Sequence, residues 1–317
     1  MNLFDAAILG LVEGLTEYLP ISSTGHLILT TALLNLNEPA EIKRAVDAYT
    51  ILIQGGAILA VLSIYHHRVW QMIKGLCGRD VVGLKLAKNL FISFLPAAIL
   101  GVMFADLIEY WLFYPQPVIA ALALGGGVML FLKKWQNRFF MGDEHADPSD
   151  AHSFVDMEHL TWRRALIIGL VQCLAMWPGT SRSMTTIVGG MFTGLRPREA
   201  AEYSFLLGLP TLGGACVYKG LQNALGDGPN MIEVLGWPAL IVGFLVATLS
   251  AMLAVKWLVH YLSNHGVALF GWYRLALAAV FSIMIARGML DISPEAPTAP
   301  SSPLSESTIS SPPTTGP

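Results

Sequence analysis

Charged side chains are scarce in this sequence: Asp, Glu, Lys and Arg make up 13% of 317 residues, where a water-soluble chain carries about a quarter. With 54% hydrophobic residues and a mean hydropathy of +0.57, the chain cannot cover a water-facing surface of its own size. Most of its exterior must face lipid. A cytosolic enzyme and a disordered scaffold are thereby excluded. A basic excess is also missing, since the net charge is -3 and the pI near 6.2, so no nucleic-acid partner is expected. Cysteine is nearly absent. Cys77, Cys173 and Cys216 form no CxxC or zinc spacing, and neither a disulfide framework nor a metal-thiolate site is implied.

Six apolar stretches of about bilayer length predict spans at 48–65, 89–105, 117–132, 203–218, 237–255 and 267–286. Two further apolar segments, 3–34 and 165–195, are each interrupted near the middle by Pro with a cluster of Ser, Thr and Gly. Neither reads as a simple span. The first does not read as a signal peptide, because residues 1–3 are not basic and the run carries Glu13 and Glu17. Basic residues set the orientation. Arg68, Lys74, Arg79, Lys85 and Lys88 fill one loop, and Lys133, Lys134, Arg138, Arg163 and Arg164 fill another. Six alternating spans add Arg196, Arg198, Lys256 and Arg274 to that side and leave Lys43, Arg44, Lys219 and Arg287 opposite. Fourteen against four is a positive-inside bias. Threaded this way, the first broken segment enters and leaves from outside and the second from inside, so both are predicted to be re-entrant. Irregular backbone at membrane depth survives only where protein or a wet cavity satisfies it, so the two breaks should meet in a buried polar pocket.

The halves repeat. Residues 10–18, GLVEGLTEY, lie over 169–177, GLVQCLAMW, and after a one-residue gap Pro20-Ile-Ser-Ser-Thr lies over Pro178-Gly-Thr-Ser-Arg. Each copy precedes three spans, and an odd number inverts the second copy relative to the first. The architecture expected is an all-α integral membrane protein, with six transmembrane helices plus two re-entrant broken-helix segments in two inverted-topology repeats. Residues 1–132 form the first repeat, 133–164 a cytoplasmic linker rich in Asp, Glu and His, 165–290 the second repeat, and 291–317 a disordered Ser/Thr/Pro tail.

Chemistry gathers at the breaks. Glu13 and Glu17 are four apart and share a helix face. Pro20 ends that helix, Ser22 or Ser23 can cap the next, and Thr24 lies in the same cluster. Ser23 and His26 project from the first turn of the second half-helix. Such a set can hold a divalent cation through Glu13 and Glu17, present Ser23 as nucleophile or phosphate ligand, and move protons with His26. Ordinary solvated glutamates and a bare cap would look the same in a soluble protein. In a lipid-embedded segment each carboxylate costs several kcal/mol unless paired or functional. The second break adds Arg182, whose planar fork suits phosphate oxygens but could also neutralise Glu13 or Glu17. Ser181 and Ser183 can cap its half-helix and donate to the same anion. Gln172 stands where the first copy has Glu13 and reads as a backbone partner. Gln54, in mid-span, could line the pocket or bond a neighbouring helix.

The stretches GLVEGLTEYLPISSTGHL and PGTSRS closely resemble the two signature motifs of the bacterial undecaprenyl-diphosphate phosphatases of the BacA type, and the likeness runs over roughly residues 3 to 288. The resemblance implies hydrolysis of undecaprenyl diphosphate, a polyprenyl diphosphate lipid, to the monophosphate. It places this cell-wall lipid recycling at the outer, periplasmic face of the bacterial inner membrane, with a divalent cation, Mg or Ca. By matching positions, the family's glutamates fall on Glu13 and Glu17, its serine on Ser23, its histidine on His26 and its arginine on Arg182. Where the family continues Gly-Ala after Arg182-Ser183, this chain has Met184 and Thr185, and the bulkier Met184 is expected to narrow the approach to the diphosphate. A homodimer is compatible with the sequence. From another functional class, a transporter or flippase of a phosphorylated lipid could use the same midplane pocket. Transport needs binding groups alone, whereas hydrolysis also needs a nucleophile and a proton donor.

Overall fold

The computed structural model describes residues 1–112, 115–139, 154–225 and 231–288, and among these the chain is helical, with no strand. Twelve α-helices follow in order: α1 Leu3–Thr16, α2 Ser23–Leu33, α3 Ala40–Ile64, α4 His66–Leu76, α5 Val81–Leu112, α6 Pro115–Phe139, α7 Trp162–Gln172, α8 Arg182–Phe192, α9 Pro197–Leu225, α10 Met231–Leu235, α11 Trp237–Asn264 and α12 Ala268–Ala286. Four segments among the described residues are long and apolar enough to cross a bilayer: Glu41–Ile64, Val81–Phe104, Trp237–Asn264 and Ala268–Ala286. The chain is therefore a multi-pass membrane protein. The other two predicted spans lie within α6, whose apolar part Gln116–Leu132 is shorter, and within α9, which opens with Arg198, Glu199 and Glu202. Residues 291–317, and 140–153 of the linker, lie outside the described residues.

Both interrupted segments break where the sequence places the interruption. Helix α1 starts on a capping box, with Asn2 Oδ1 accepting from the Asp5 N–H at 2.8 Å and the Asp5 carboxylate accepting from the Asn2 N–H at 3.2 Å. At 14 and 11 residues, α1 and α2 reach about 21 and 16 Å at 1.5 Å per residue, each short of a bilayer core of about 30 Å. Helices α7 and α8, 11 residues each, are no longer. The half-helices beyond the breaks start alike: Ser22 caps α2 at φ 76° and accepts from the Gly25 N–H, and Ser181 caps α8 at φ 75° and accepts from the Met184 N–H. This pair corrects the alignment of the second motif. Ser22 matches Ser181 at the same spacing that matches Gly10 to Gly169, so no gap is needed. The near-coincidence of Pro20 and Pro178 is a step out of register, because the cap, not the proline, fixes where each half-helix begins.

The packing follows one scheme in both halves. Helix α1 lies along α11 and α7 along α5, while α3 packs on α9 and α6 on α12. Gly10 lies so close to α11 that a Cβ there would overlap the Gly243 carbonyl, and a Cβ on Gly169 would lie 2.5 Å from the Ser93 carbonyl oxygen on α5. Small residues let helix backbones approach in this way where lipid supplies no hydrophobic drive. Tyr49 on α3 donates to the Ala6 carbonyl at 2.8 Å. In the other half Tyr203 on α9 donates to Ser93 Oγ at 2.7 Å, which donates onward to the Ala165 carbonyl at 2.6 Å. Gly243 leaves the space that the Tyr49 hydroxyl fills; Ser93 occupies the corresponding space and relays the bond.

At the end of the molecule where α4 turns back, the described part of the linker is tied down. Arg68 meets Glu158 at 3.0 Å, Lys85 donates to the Glu158 carbonyl at 2.8 Å, and Asn89 donates to the Leu160 carbonyl at 2.8 Å. Trp70, Ile73 and Leu76 on α4 are exposed.

Candidate active site

The two breaks meet. Helical geometry continues through Glu17, whose N–H bonds the Glu13 carbonyl at 2.9 Å, so both carboxylates share one face of α1. Glu17 Oε2 accepts from Ser23 Oγ at 2.7 Å, and Glu17 Oε1 accepts from Arg182 Nη2 at 2.8 Å. The ion pair is enclosed, its side chains 10% and 5% exposed for Arg182 and Glu17. Arg182 is held by the Ser204 carbonyl, which accepts from Nη1 at 3.0 Å, and lies 5.4 Å over the Tyr18 ring. Behind it, Ser204 Oγ donates to Thr186 Oγ1 at 2.6 Å, and Thr186 donates to the Arg182 carbonyl at 2.8 Å. Ser183 Oγ crosses between the breaks to the Leu19 carbonyl at 2.9 Å and accepts from Ser181 Oγ at 3.0 Å. Ser181 and Ser183 thus serve cap and crosslink.

Polar groups in this enclosure are left open. Both oxygens of Glu13, the Tyr18 hydroxyl and Arg182 Nε are buried without a hydrogen-bond partner. A buried, unpartnered carboxylate next to an unpartnered guanidinium N–H is costly in an isolated chain, and fits a site completed by a cation and an anion together. Among the described residues no group of three or more His, Cys, Asp or Glu converges as a metal cage. Protein ligands for a cation come down to Glu13 and the part of Glu17 not engaged by Ser23 and Arg182, a set suited to an ion that takes its remaining ligands from phosphate and water.

Other predicted site residues stand apart from this cluster. The His26 ring turns its hydrogen bonds away from Glu17 and Ser23: its Nδ1 faces the Ser22 carbonyl and its Nε2 the Tyr273 hydroxyl, each at 2.7 Å. Ser22 acts as the cap, and Thr24, two residues further on, is exposed. Gln54 accepts from Cys216 Sγ at 3.7 Å, so it bonds the neighbouring helix α9. Gln172 donates to the Ser93 carbonyl at 3.5 Å, as a backbone partner would. Met184, expected to narrow the approach, is 5% exposed and packs in the core. A Cβ on residue 125 would come within 2.9 Å of Met184 Cε and 2.5 Å of Arg274 Nη2, so Gly125 makes the room. Thr185 donates to the Arg182 carbonyl at 2.9 Å.

Arg274 corrects the charge count. Assigned from the sequence to the inner rim, it is fully buried and donates to the Gly179 carbonyl at 2.9 Å, the Ala121 carbonyl at 3.0 Å, the Leu122 carbonyl at 3.3 Å and the Pro20 carbonyl at 3.5 Å. One guanidinium thus ties both breaks to α6. The positive-inside bias falls to thirteen against four. The signal was present in the sequence, because an arginine within an apolar 19-residue helix invites the question asked of Glu13 and Glu17. Nothing in sequence spacing pointed to Ser204, Thr186 or Tyr273.

An all-helical, multi-pass membrane protein with an acid, an arginine and a serine joined at two helix breaks is the class that fold and site define. The chain matches, over residues 6–280, the family described as bacitracin resistance protein BacA. It is 44% identical over 279 residues to an undecaprenyl-diphosphatase of Sorangium cellulosum (strain So ce56), covering 87% of this chain and 84% of the relative. It is 43% identical over 288 residues to an undecaprenyl-diphosphatase of Azotobacter vinelandii (strain DJ / ATCC BAA-1303), covering 90% and 95%. A protein named undecaprenyl-diphosphatase 2 from Rhodospirillum rubrum is 44% identical over 279 residues, covering 88% and 93%. The chain belongs to the BacA family.

Proposed function

We propose that this protein is a membrane diphosphatase that hydrolyses undecaprenyl diphosphate to undecaprenyl phosphate and phosphate, returning the lipid carrier to cell-wall synthesis. The observation that carries the mechanism is the Glu17 carboxylate held between Ser23 Oγ at 2.7 Å and Arg182 Nη2 at 2.8 Å. In this reading the arriving diphosphate competes with Glu17 for the Arg182 fork. Glu17, partly released, takes the Ser23 proton as Ser23 Oγ attacks the terminal phosphorus. The bridging P–O bond breaks and undecaprenyl phosphate leaves; water then releases phosphate from Ser23, with Glu17 returning the proton. Arg182 and the N–H groups at the starts of α2 and α8 offset charge on the phosphoryl oxygens. A divalent cation, Mg or Ca, would be held by Glu13 and Glu17 and would neutralise phosphate charge. Ser181 and Ser183, which cap α8 and tie it to the first break, shape the phosphate side of the site, with Ser22 and Thr24 at the start of α2 as further phosphate contacts once the lipid binds and Gln54 behind on α3.

The same proposal fixes the setting. Six spans, α3, α5, α6, α9, α11 and α12, and two re-entrant pairs, α1–α2 and α7–α8, form two inverted repeats, with the site open to the periplasmic face of the inner membrane. Repeats 1–132 and 165–290 flank a cytoplasmic linker at 133–164. Support comes from the recurring α1–α11 and α7–α5 packing and the matched caps Ser22 and Ser181. A lipid transporter would need the same pocket but no serine hydrogen-bonded to a buried carboxylate. The deciding experiment is phosphate release from undecaprenyl diphosphate by the purified protein in detergent, with Mg, with Ca and with chelator. Release that chelation abolishes is expected; no release with either cation overturns the proposal.

A further inference from the structure

His26 has no ring nitrogen free to act on its own. Its Nδ1 lies 2.7 Å from the Ser22 carbonyl oxygen, which can only accept, so Nδ1 carries a hydrogen. Its Nε2 lies 2.7 Å from the Tyr273 hydroxyl, and the two rings stack with centroids 5.6 Å apart and planes 8° from parallel. In the neutral imidazole Nε2 therefore accepts the Tyr273 O–H; in the imidazolium it donates to the same oxygen. Either way the tyrosine oxygen is the neighbour of the nitrogen that titrates. Tyr273 is 44% exposed, while His26 is half-buried behind it. The next residue, Arg274, is fully buried and bonds the Pro20 and Gly179 carbonyls. The break that carries His26 is thereby locked to the helix that carries Tyr273.

We propose that Tyr273 is a catalytic residue of this site: it is the hydrogen-bond partner of the titrating His26 Nε2 and the outlet through which His26 delivers its proton to the lipid diphosphate, an inference that rests on the diphosphatase reading. As the bridging P–O bond breaks, its electron pair stays on the oxygen of the departing lipid monophosphate. The Tyr273 O–H proton passes to that oxygen while the imidazolium Nε2–H proton passes to the Tyr273 oxygen. Tyrosine ends with its hydroxyl restored and His26 ends neutral, with hydrogen on Nδ1. Water recharges His26 by the same two transfers in reverse. Two protons move in one step, which a histidine acting directly on the lipid would not require.

The test is Tyr273→Phe, which keeps the ring and its stacking and removes only the hydroxyl. In detergent-solubilised protein labelled with 15N-histidine, the His26 signals are assigned by their loss in His26→Gln. The wild type is expected to show the Nδ1–H tautomer with Nε2 as acceptor, and Tyr273→Phe to lose that Nε2 hydrogen-bond shift. Phosphate release from undecaprenyl diphosphate in mixtures of light and heavy water should show a curved, two-proton dependence in the wild type and a linear one in Tyr273→Phe. Its kcat should fall by about a hundredfold, the low end for losing an acid–base group, with KM little changed. An active wild type whose Tyr273→Phe variant keeps kcat, the curved dependence and the His26 signals overturns the inference and leaves the diphosphatase reading standing. A wild type that releases no phosphate overturns that reading instead, and the histidine signals still decide whether Tyr273 bonds His26 Nε2.

Discussion

Ser23 and Arg182 occupy the same place in the two halves of the molecule, each the first residue of a half-helix behind a capping serine, and both donate to Glu17. One half brings a hydroxyl and the other a guanidinium to opposite oxygens of a single carboxylate. Burying a carboxylate is affordable only when it is paired and hydrogen-bonded, and here each break supplies one of the bonds. The site therefore exists only when both halves are assembled. Neither motif alone describes it.

Removing one partner of this pair strands the other. Arg182→Ala should destabilise the folded protein by about 3–5 kcal/mol, the usual consequence of an uncompensated buried charge, and Glu17→Gln in the same chain should recover most of that loss. Thermal unfolding in detergent measures both. Activity should not return in the double variant. Arg182→Lys keeps the charge but cannot span Glu17 and the Ser204 carbonyl as a fork, so kcat/KM for undecaprenyl diphosphate should drop by about a hundredfold or more; unchanged kinetics would leave Arg182 as a counter-ion only.

Ser23→Ala removes one hydroxyl from a half-buried position and should leave stability within about 1 kcal/mol, the net worth of an ordinary hydrogen bond. Its rate should fall at least about a hundredfold, as should that of Glu17→Ala. The combined variant should be little worse than either, because nucleophile and base act as a unit. Near-normal turnover in Ser23→Ala would transfer the attack to water.

The meeting of Glu17, Ser23 and Arg182 was legible in the sequence because charge inside apolar segments is costly, and because helical spacing fixes which groups share a face. Those rules act within one helix. They could not separate Ser23 from His26, which start from the same turn of α2 yet reach Glu17 and Tyr273 respectively. They also aligned Pro20 with Pro178, where the matching caps Ser22 and Ser181 set the register. Spacing left Gln54 either to line the pocket or to bond a neighbouring helix, and it accepts from Cys216 on α9. Arg274 was misplaced for a related reason: a positive-inside count reads where a residue falls along the chain, not whether its side chain runs back into the protein.

Orientation is testable independently of chemistry. With Arg274 removed from the count, thirteen basic residues still oppose four, so both termini should be outside and the 133–164 linker inside. Ser149→Cys and Ser302→Cys, at positions outside the described residues, are made in a chain lacking Cys77, Cys173 and Cys216. An impermeant thiol reagent on intact cells should label the second and spare the first; the reverse pattern refutes the threading.

Arg274 offers the sharpest separation of architecture from catalysis. Its guanidinium reaches carbonyls of both breaks, Pro20 and Gly179, and of Ala121 and Leu122 on α6, yet none of its hydrogen bonds goes to Glu17, Ser23 or Arg182. Arg274→Met keeps much of the volume and takes the guanidinium donor from the Pro20 and Gly179 carbonyls in the breaks, where the Ala121 and Leu122 carbonyls keep their bonds within α6. At about 1–3 kcal/mol for a group stranded without a partner, a loss of several kcal/mol is expected, read as a lowered unfolding midpoint. Arg274→Lys should fall between, because one ammonium cannot span four acceptors in two loops and a helix. Activity measured well below the unfolding midpoint distinguishes two outcomes. If Arg274 keeps the breaks in register, the folded variant should lose about a hundredfold in kcat, the expected effect of misplacing reacting groups by about 1 Å. Wild-type kcat in the folded fraction would confine Arg274 to holding the helices together.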